Sequence, residues 1–172
     1  IGCGDTVHVD FDTLALGQAV SCDAVSFASL LQAGRHDAAL ALWNGTPAEA
    51  FALGDTDAFD DWLAQRRAEL GELRRQALQS SAVAREAAGD VIGALARIEA
   101  LLADDPLQEH HHRDAMRLLA AAGRREAALM QYEQCRGLLR SELGLSPMAE
   151  TDAMAASLRA RPGAALVEAA VP

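Results

Sequence analysis

Residues 122–132 read AGRREAALMQY, and this stretch decides the fold because its pattern occurs three times along the chain. Residues 88–98 read AGDVIGALARI, and residues 33–43 read AGRHDAALALW. Each copy has Ala-Gly, then an arginine or aspartate, then small residues before a leucine, and finally a bulky residue. Gly89 and Gly123 lie 34 residues apart, which is the period of tetratricopeptide repeats.

The spacing within each copy is typical of a turn between two helices. We expect the glycine to end the first helix in a left-handed backbone conformation, and the small residues to let the second helix pack closely. The bulky residue would fill the gap to a neighbouring hairpin. Because one hairpin cannot bury its apolar face alone, the copies predict a stacked array of three units with a terminal helix. Gly34 and Gly89 are 55 residues apart, so the first unit carries an insertion, which we place at residues 44–57.

The composition also predicts an all-α fold. Alanine (38 residues) and leucine (24 residues) dominate, and aromatic residues make up only 4%, which favours helices over strands. Residues 6–11 alternate polar and apolar side chains and predict one short strand, whose partner we expect upstream of the chain. The predicted helices are 12–20, 23–33, 36–43, 57–88, 91–103, 106–121, 125–142 and 147–160.

Charge, apolar content and cysteine spacing exclude several classes of protein. The net charge is −10, and residues 1–61 hold ten acids against Arg35 alone. Phosphate binding needs clustered cations, so we expect no nucleic-acid binding by the chain itself. No apolar stretch approaches the roughly 20 residues of a membrane helix. Cys3, Cys22 and Cys135 are odd in number and widely spaced, which favours free thiols in a reducing cytoplasm.

We find no pattern that predicts catalytic residues, a bound cofactor or a metal site. In the run Glu109-His110-His111-His112, the pair Glu109 and His112 alone has the spacing for two ligands on one helix face. We therefore expect these histidines to be exposed or half-buried helix residues. Cys135 lies at apolar spacing and is predicted to be a small core residue.

Two arginine pairs, at 66–67 and 74–75, lie on the long predicted helix. Each pair contains an arginine three residues from a glutamate, Glu69 or Glu72, so we interpret the pairs as ion-pair partners on a solvated face. A contact surface for an acidic partner is the alternative.

Three segments, in order, resemble the bacterial transcriptional activator domain, the tetratricopeptide-like module of antibiotic-regulatory-type activators. They are Asp57-Ala58-Phe59-Asp60-Asp61-Trp62-Leu63 followed by Arg66 or Arg67 and Leu70; Asp105-Pro106-Leu107 followed by Glu109, Arg113 and Met116; and Gly123-Arg124, Ala128-Leu129 and Tyr132 followed by Leu139, Glu142-Leu143-Gly144 and Pro147. The resemblance implies a cytoplasmic regulator of transcription that acts by binding protein partners.

The resemblance also implies a domain organisation. Members of the family usually carry a winged-helix DNA-binding domain before this module, so we expect residues 1–11 to be the strand and linker at its end. Residues 12–160 would form the activator domain, and residues 161–172 a flexible tail. DNA would be contacted only through the upstream domain. The module itself would associate with a second copy, with the DNA-binding half or with the transcription machinery, and not with membranes.

Four signature positions are candidates for partner binding or for a structural role: Trp62, Arg66, Arg113 and Tyr132. We expect Trp62 and Tyr132 to pack between hairpins, and Arg66 and Arg113 to pair with nearby acids. Two other functions remain open. One is a generic tetratricopeptide-like scaffold that binds peptides, and the other is a sensor that holds a small effector in its groove.

Overall fold

The computed structural model describes residues 6–17, 20–49, 51 and 56–160, and most of these residues are helical. Two short strands come first, followed by the helices, and a π-helical turn at Leu139–Leu143 continues the sixth helix. The elements are β1 (Val7–Asp10), β2 (Thr13–Leu16), α1 (Asp23–Gln32), α2 (His36–Leu40), α3 (Asp57–Ala87), α4 (Val91–Asp104), α5 (Glu109–Ala121), α6 (Arg125–Leu138) and α7 (Ala149–Ala160). The predicted tail at 161–172, Cys3 and the first part of the predicted N-terminal segment lie outside the described residues.

The chain forms two compact units that are divided between Ala77 and Leu78, within α3. The first unit contains the two strands, α1, α2 and the beginning of α3, and its buried residues include Phe27, Ala39 and Leu63. The second unit contains the end of α3 and the helices α4 to α7. Its apolar core is formed by Leu78, Ala82, Ala94, Leu95, Ile98, Leu101, Ala115, Met116, Leu118, Leu119, Ala128, Tyr132, Cys135, Leu139, Ala155 and Leu158.

The three repeat glycines end their helices in the same way. Gly34, Gly89 and Gly123 have φ angles of 69°, 80° and 74°. The Gly123 N–H donates to the Ala120 carbonyl oxygen at 3.0 Å, and the next N–H donates to the Leu119 carbonyl oxygen at 2.8 Å. The other two turns repeat this pattern of hydrogen bonds, which is the Schellman motif. The predicted left-handed glycines are therefore confirmed.

The small residues of the repeat lie where helices approach each other. Ala39, Ala94 and Ala128 each follow their glycine by five residues, and each is 0% exposed. Within the units, α1 packs on α2, and α5 packs on both α4 and α6. Because alanine ends at Cβ, these positions permit close helix packing, as the repeat predicts. The all-α fold of tetratricopeptide-like hairpins is thereby confirmed.

The predicted helix at 12–20 is wrong. Thr13–Leu16 is a strand that pairs antiparallel with Val7–Asp10, and Asp10 lies opposite Thr13, so the connecting turn has two residues. The Asp10 carboxylate accepts a hydrogen bond from the Phe11 N–H at 2.9 Å within that turn. The strand expected over 6–11 thus has a partner inside the chain. Cross-strand hydrogen bonds override the helix preference of Leu-Ala-Leu because so short a segment cannot sustain an isolated helix.

Two helices of the second unit begin later than the sequence predicts. The Asp105 carboxylate accepts hydrogen bonds from the Leu107 N–H at 3.2 Å and from the Gln108 side chain at 2.8 Å. These bonds stabilise a turn, so α5 begins at Glu109 instead of residue 106. The helix α7 begins at Ala149, and Glu109 Oε1 accepts the preceding Met148 N–H at 2.6 Å. The helix α5 therefore supplies a cap for α7.

Candidate functional site

Phe51, Phe59 and Trp62 form a group near the start of α3, which we call the aromatic cluster. The ring centroids of Phe51 and Phe59 are 5.7 Å apart, and those of Phe59 and Trp62 are 5.5 Å apart. Phe51 is 51% exposed and Trp62 is 54% exposed. The prediction that Trp62 packs between hairpins is wrong, because Leu63, about 100° further around the helix, is the residue that turns inward and is buried.

The backbone before Phe51 is held against α3 by Arg67. Its Nε donates to the Pro47 carbonyl oxygen at 3.0 Å, and its Nη2 donates to the carbonyl oxygens of Ala48 and, at 3.5 Å, Phe51. A guanidinium group has five donors in a fixed plane, so one arginine can bind several carbonyls at once. Arg67 therefore holds the backbone at Pro47, Ala48 and Phe51 close to α3. This role was missed in the sequence, where Arg67 reads as a surface charge.

The remaining arginines of the two pairs behave largely as the sequence predicts. Arg66 forms an ion pair with Glu69, with 2.7 Å between Nη1 and Oε2, and Arg75 forms one with Glu72. Hydrogen bonds from these arginines lower the pKa values of both glutamates. The pairs are exposed and contribute little to stability. Arg74 differs, because its guanidinium lies over the Trp43 ring, 5.3 Å from the ring centroid.

Three acidic residues lie on the same turns of α3 as Phe59 and Trp62. Asp57, Asp60 and Asp61 lie in the first turns of α3 and are exposed, and we call these three residues the acidic rim. Within the described residues, none of their carboxylates forms an ion pair. Residues 49–62 carry five acids and no basic residue. The surface at the start of α3 therefore combines exposed aromatic rings with uncompensated negative charge.

Arg113 ties α5 to α7. Its Nη1 donates to Thr151 Oγ1 at 3.0 Å and lies 3.9 Å from Glu109 Oε1. Thr151 is 0% exposed, and Glu109 is the residue that caps α7. The expected pairing of Arg113 with a nearby acid is confirmed, and the contact serves the packing of the terminal helix.

Tyr132 joins α6 to α7. The ring is buried, and its hydroxyl donates to Asp152 Oδ1 at 2.8 Å. This hydrogen bond, together with burial, raises the pKa of Tyr132. The Arg159 guanidinium lies 5.0 Å from the ring centroid. Arg125, which the sequence did not single out, donates to the carbonyl oxygens of Leu158 at 2.5 Å and of Arg159 at 2.7 Å. Such contacts satisfy carbonyl groups that a helix end leaves open.

The histidine run is more buried than expected. His112 is 1% exposed; its Nδ1 lies 2.7 Å from Gln131 Nε2, and its Nε2 lies 2.9 Å from the Pro106 carbonyl oxygen. With the Gln131 amide donating to Nδ1, the hydrogen is on Nε2 and donates to Pro106. His111 is also buried, and burial, followed by the nearby His110, lowers its pKa. The prediction of exposed or half-buried residues holds for His110, which is exposed, and is wrong for His111 and His112, because α5 packs against helices on two sides.

Groups that could support chemistry are sparse in the described part of the chain. No cluster of three or more histidine, cysteine, aspartate or glutamate residues suitable for a metal occurs there. Cys135 is 1% exposed, and burial, followed by the charge of Glu109, raises its pKa to about 11. Because the thiolate is the nucleophile, such a cysteine is inert near neutral pH. Its predicted place in the core is confirmed.

The first unit contains a groove of about 350 Å³ beside α1, which we call the α1 groove. Phe27, Trp43 and Leu70 provide apolar walls, and Asp23 and Asn44 provide polar groups. The ring centroids of Phe27 and Trp43 are 5.6 Å apart. The volume is near the lower end of the range for small-molecule pockets.

Comparison with known proteins places these features in a family. A search of curated proteins gives no match. The family model of the bacterial transcriptional activator domain matches residues 18–159, which is most of the chain and includes the aromatic cluster and the contacts around α7. Among the described helices, none is both long and apolar enough to cross a membrane. The chain belongs to the bacterial transcriptional activator domain family.

Proposed function

We propose that the chain is the protein-interaction module of a bacterial transcriptional regulator and acts in the cytoplasm by binding partners, without catalysis. The observation that carries this proposal is the family match over residues 18–159. The arrangement of polar groups supports it, because the side chains of Arg113 and Tyr132 form hydrogen bonds to α7 and so serve packing. The prominent exposed feature of the first unit is a set of aromatic rings, which suits binding better than catalysis.

The proposed partners are a second copy of the module, the DNA-binding half of the regulator and the transcription machinery. We assign DNA contact to a winged-helix domain encoded upstream and the interaction module to the residues after the β1–β2 hairpin, because that hairpin spans the boundary expected between residues 11 and 12 and the family match begins at residue 18. The net charge of −10 supports this division, because a surface with excess acid repels phosphates. Sequencing the coding region before Ile1 tests the assignment, and a stop codon or an unrelated domain there would overturn it.

A tethering experiment tests the module's role in activation. The full chain is fused to an unrelated DNA-binding domain, and transcription is measured from a reporter that carries the matching operator. We expect the fusion to raise reporter transcription several-fold above the DNA-binding domain alone at equal operator occupancy. A fusion carrying Leu118→Asp, which places a charge in the core of the second unit, is the unfolded control. Equal output from the intact fusion and the bare DNA-binding domain would refute the proposal.

A second function, sensing of a small effector, is favoured by the α1 groove. A ligand that binds only the folded protein raises its melting temperature. A thermal-shift screen of small aromatic compounds should then find ligands whose effect disappears in Trp43→Ala, which removes one wall of the groove. If no compound shifts the melting temperature, or if hits act equally on Trp43→Ala, the groove has no such role.

A further inference from the structure

We propose that the aromatic cluster and the acidic rim form a docking site for a basic segment of a protein partner, in which an apolar anchor stands between arginines or lysines. This inference rests on the proposed function and specifies the kind of partner. It assigns the exposed start of α3 to recognition.

The apolar part of the site is exposed and can contact a partner. Phe51 and Trp62 are each about half exposed, although burial of such side chains is favourable. Their rings are linked through Phe59 at centroid distances of 5.7 Å and 5.5 Å, so they present one continuous apolar surface. Tryptophan is enriched among residues that dominate binding energy at interfaces. A partner's apolar side chain would bury the exposed area of these rings.

The negative charge at the start of α3 favours a basic partner. Asp57, Asp60 and Asp61 are exposed on the same turns of α3 as Phe59 and Trp62. The basic residue next along the helix, Arg66, is bonded to Glu69, so its charge is compensated. A partner's arginine or lysine would gain from the carboxylates and from stacking on the indole face. An acidic partner would meet repulsion at the same place.

The site is positioned before any partner arrives. Arg67 donates to the carbonyl oxygens of Pro47, Ala48 and Phe51 and thereby fixes the backbone that carries one of the three rings. The other two rings are three residues apart on a helix, which fixes their relative position. Binding therefore requires little ordering of the protein, and this favours affinity.

The test is calorimetric titration of the full chain with three synthetic helical peptides of equal length. In the first, arginines flank two adjacent leucines. In the second, glutamates replace the arginines, and in the third, alanines replace the leucines. We expect the first peptide to bind and the other two to bind at least about tenfold more weakly, because each lacks one half of the recognised chemistry.

Variants of the protein locate the binding. Trp62→Ala should weaken the binding of the first peptide by about tenfold or more, as expected for an interface anchor. The double variant Asp60→Asn, Asp61→Asn keeps the aromatic rings and should weaken binding by a smaller factor while reducing its salt dependence. Matched controls are Met130→Ala, which removes an apolar side chain that is 72% exposed on α6, and Glu99→Gln, which removes an exposed acid on α4. Both should bind like the unchanged protein.

Four results would overturn the inference: no binding of the first peptide, equal binding of the acidic peptide, equal loss in the matched controls, or self-association in sedimentation that Trp62→Ala abolishes. The last result would assign the surface to a second copy of the chain. Circular dichroism of each variant shows that it remains folded. If peptide binding fails while the tethered chain still activates the reporter, this inference falls and the proposed function stands.

Discussion

Replacing Gly123 by alanine tests the physical basis of the repeat. Gly123 has a φ of 74°, and a Cβ built at this position meets no atom within 4 Å. The cost of the substitution is therefore conformational and not steric. A left-handed conformation costs a non-glycine residue about 1–2 kcal/mol. The lower entropy of the unfolded chain with alanine stabilises the folded protein by about 0.4–1 kcal/mol. We expect Gly123→Ala to lower the free energy of unfolding by about 1 kcal/mol.

Gly137 provides a control with the opposite sign in the same unit. It lies inside α6, and a Cβ there also meets no atom within 4 Å. Alanine is favoured over glycine in a helix interior by about 0.8–1 kcal/mol, so Gly137→Ala should raise the free energy of unfolding. For a chain of this length, each change should shift the melting temperature by about 2–4 °C, in opposite directions.

The assay is urea and thermal unfolding followed by circular dichroism at the helical band, with the unchanged chain as reference. The expected order of stability is Gly137→Ala, then the unchanged protein, then Gly123→Ala. If Gly123→Ala is neutral, or if both substitutions destabilise equally, the left-handed glycine does not limit the turn and the physical reading of the repeat is wrong.

Three further predictions concern the core, the buried thiol and DNA. Tyr132→Phe removes the hydroxyl that donates to Asp152 and should cost about 0.5–1.5 kcal/mol in urea unfolding, whereas Tyr132→Ala should cost about 3–5 kcal/mol; equal losses would contradict a role for ring packing. The pKa of Cys135 is about 11 in the folded chain against an ordinary 9.0. The contribution of the protonated thiol to the free energy of unfolding is therefore present below pH 9 and is lost as pH rises toward 11. Cys135→Ala should accordingly show a shallower loss of stability over that range, and an unchanged slope would contradict the burial effect. In a mobility-shift assay at physiological salt, the chain alone should give no sequence-specific DNA complex, and a specific shift at nanomolar protein would contradict the charge argument.

The turns of the repeat were predictable because their cause is local. A glycine can adopt a left-handed conformation whatever surrounds it, so the sequence of Gly34, Gly89 and Gly123 was enough to predict three similar helix ends. The buried alanines followed for a related reason, since their spacing from each glycine sets the side of the helix on which they lie.

The errors arose where distant parts of the chain decide the outcome. The burial of His111 and His112 depends on helices that pack against α5 from two sides, and nothing within the run itself shows this. Trp62 and Leu63 are neighbours on an amphipathic helix, and the sequence favoured the larger side chain for the core although the smaller one is buried. The cap that Glu109 gives to α7 spans 39 residues and joins two elements that local patterns treat separately.

Some functional signals were present in the sequence but incomplete. Phe51 is the one aromatic residue in a stretch made mostly of polar and small residues, and this could have marked it as an exposed anchor. Its contact with Phe59 goes with the position of the backbone at Pro47, Ala48 and Phe51, whose carbonyl groups all accept hydrogen bonds from Arg67. Hydrogen bonds from a side chain to backbone carbonyls leave no residue-type pattern at the carbonyl positions, so sequence alone could not reveal them.

The measurement that tests the central claim most directly is reporter transcription from the tethered chain, compared between the unchanged protein, Trp62→Ala and Met130→Ala at equal operator occupancy. Activation through a recognition surface at the start of α3 predicts that the unchanged chain and Met130→Ala activate equally. It also predicts that Trp62→Ala, while still folded and bound to the operator, loses most of the activation. Equal output from all three fusions would contradict the claim that the exposed aromatic cluster carries the function.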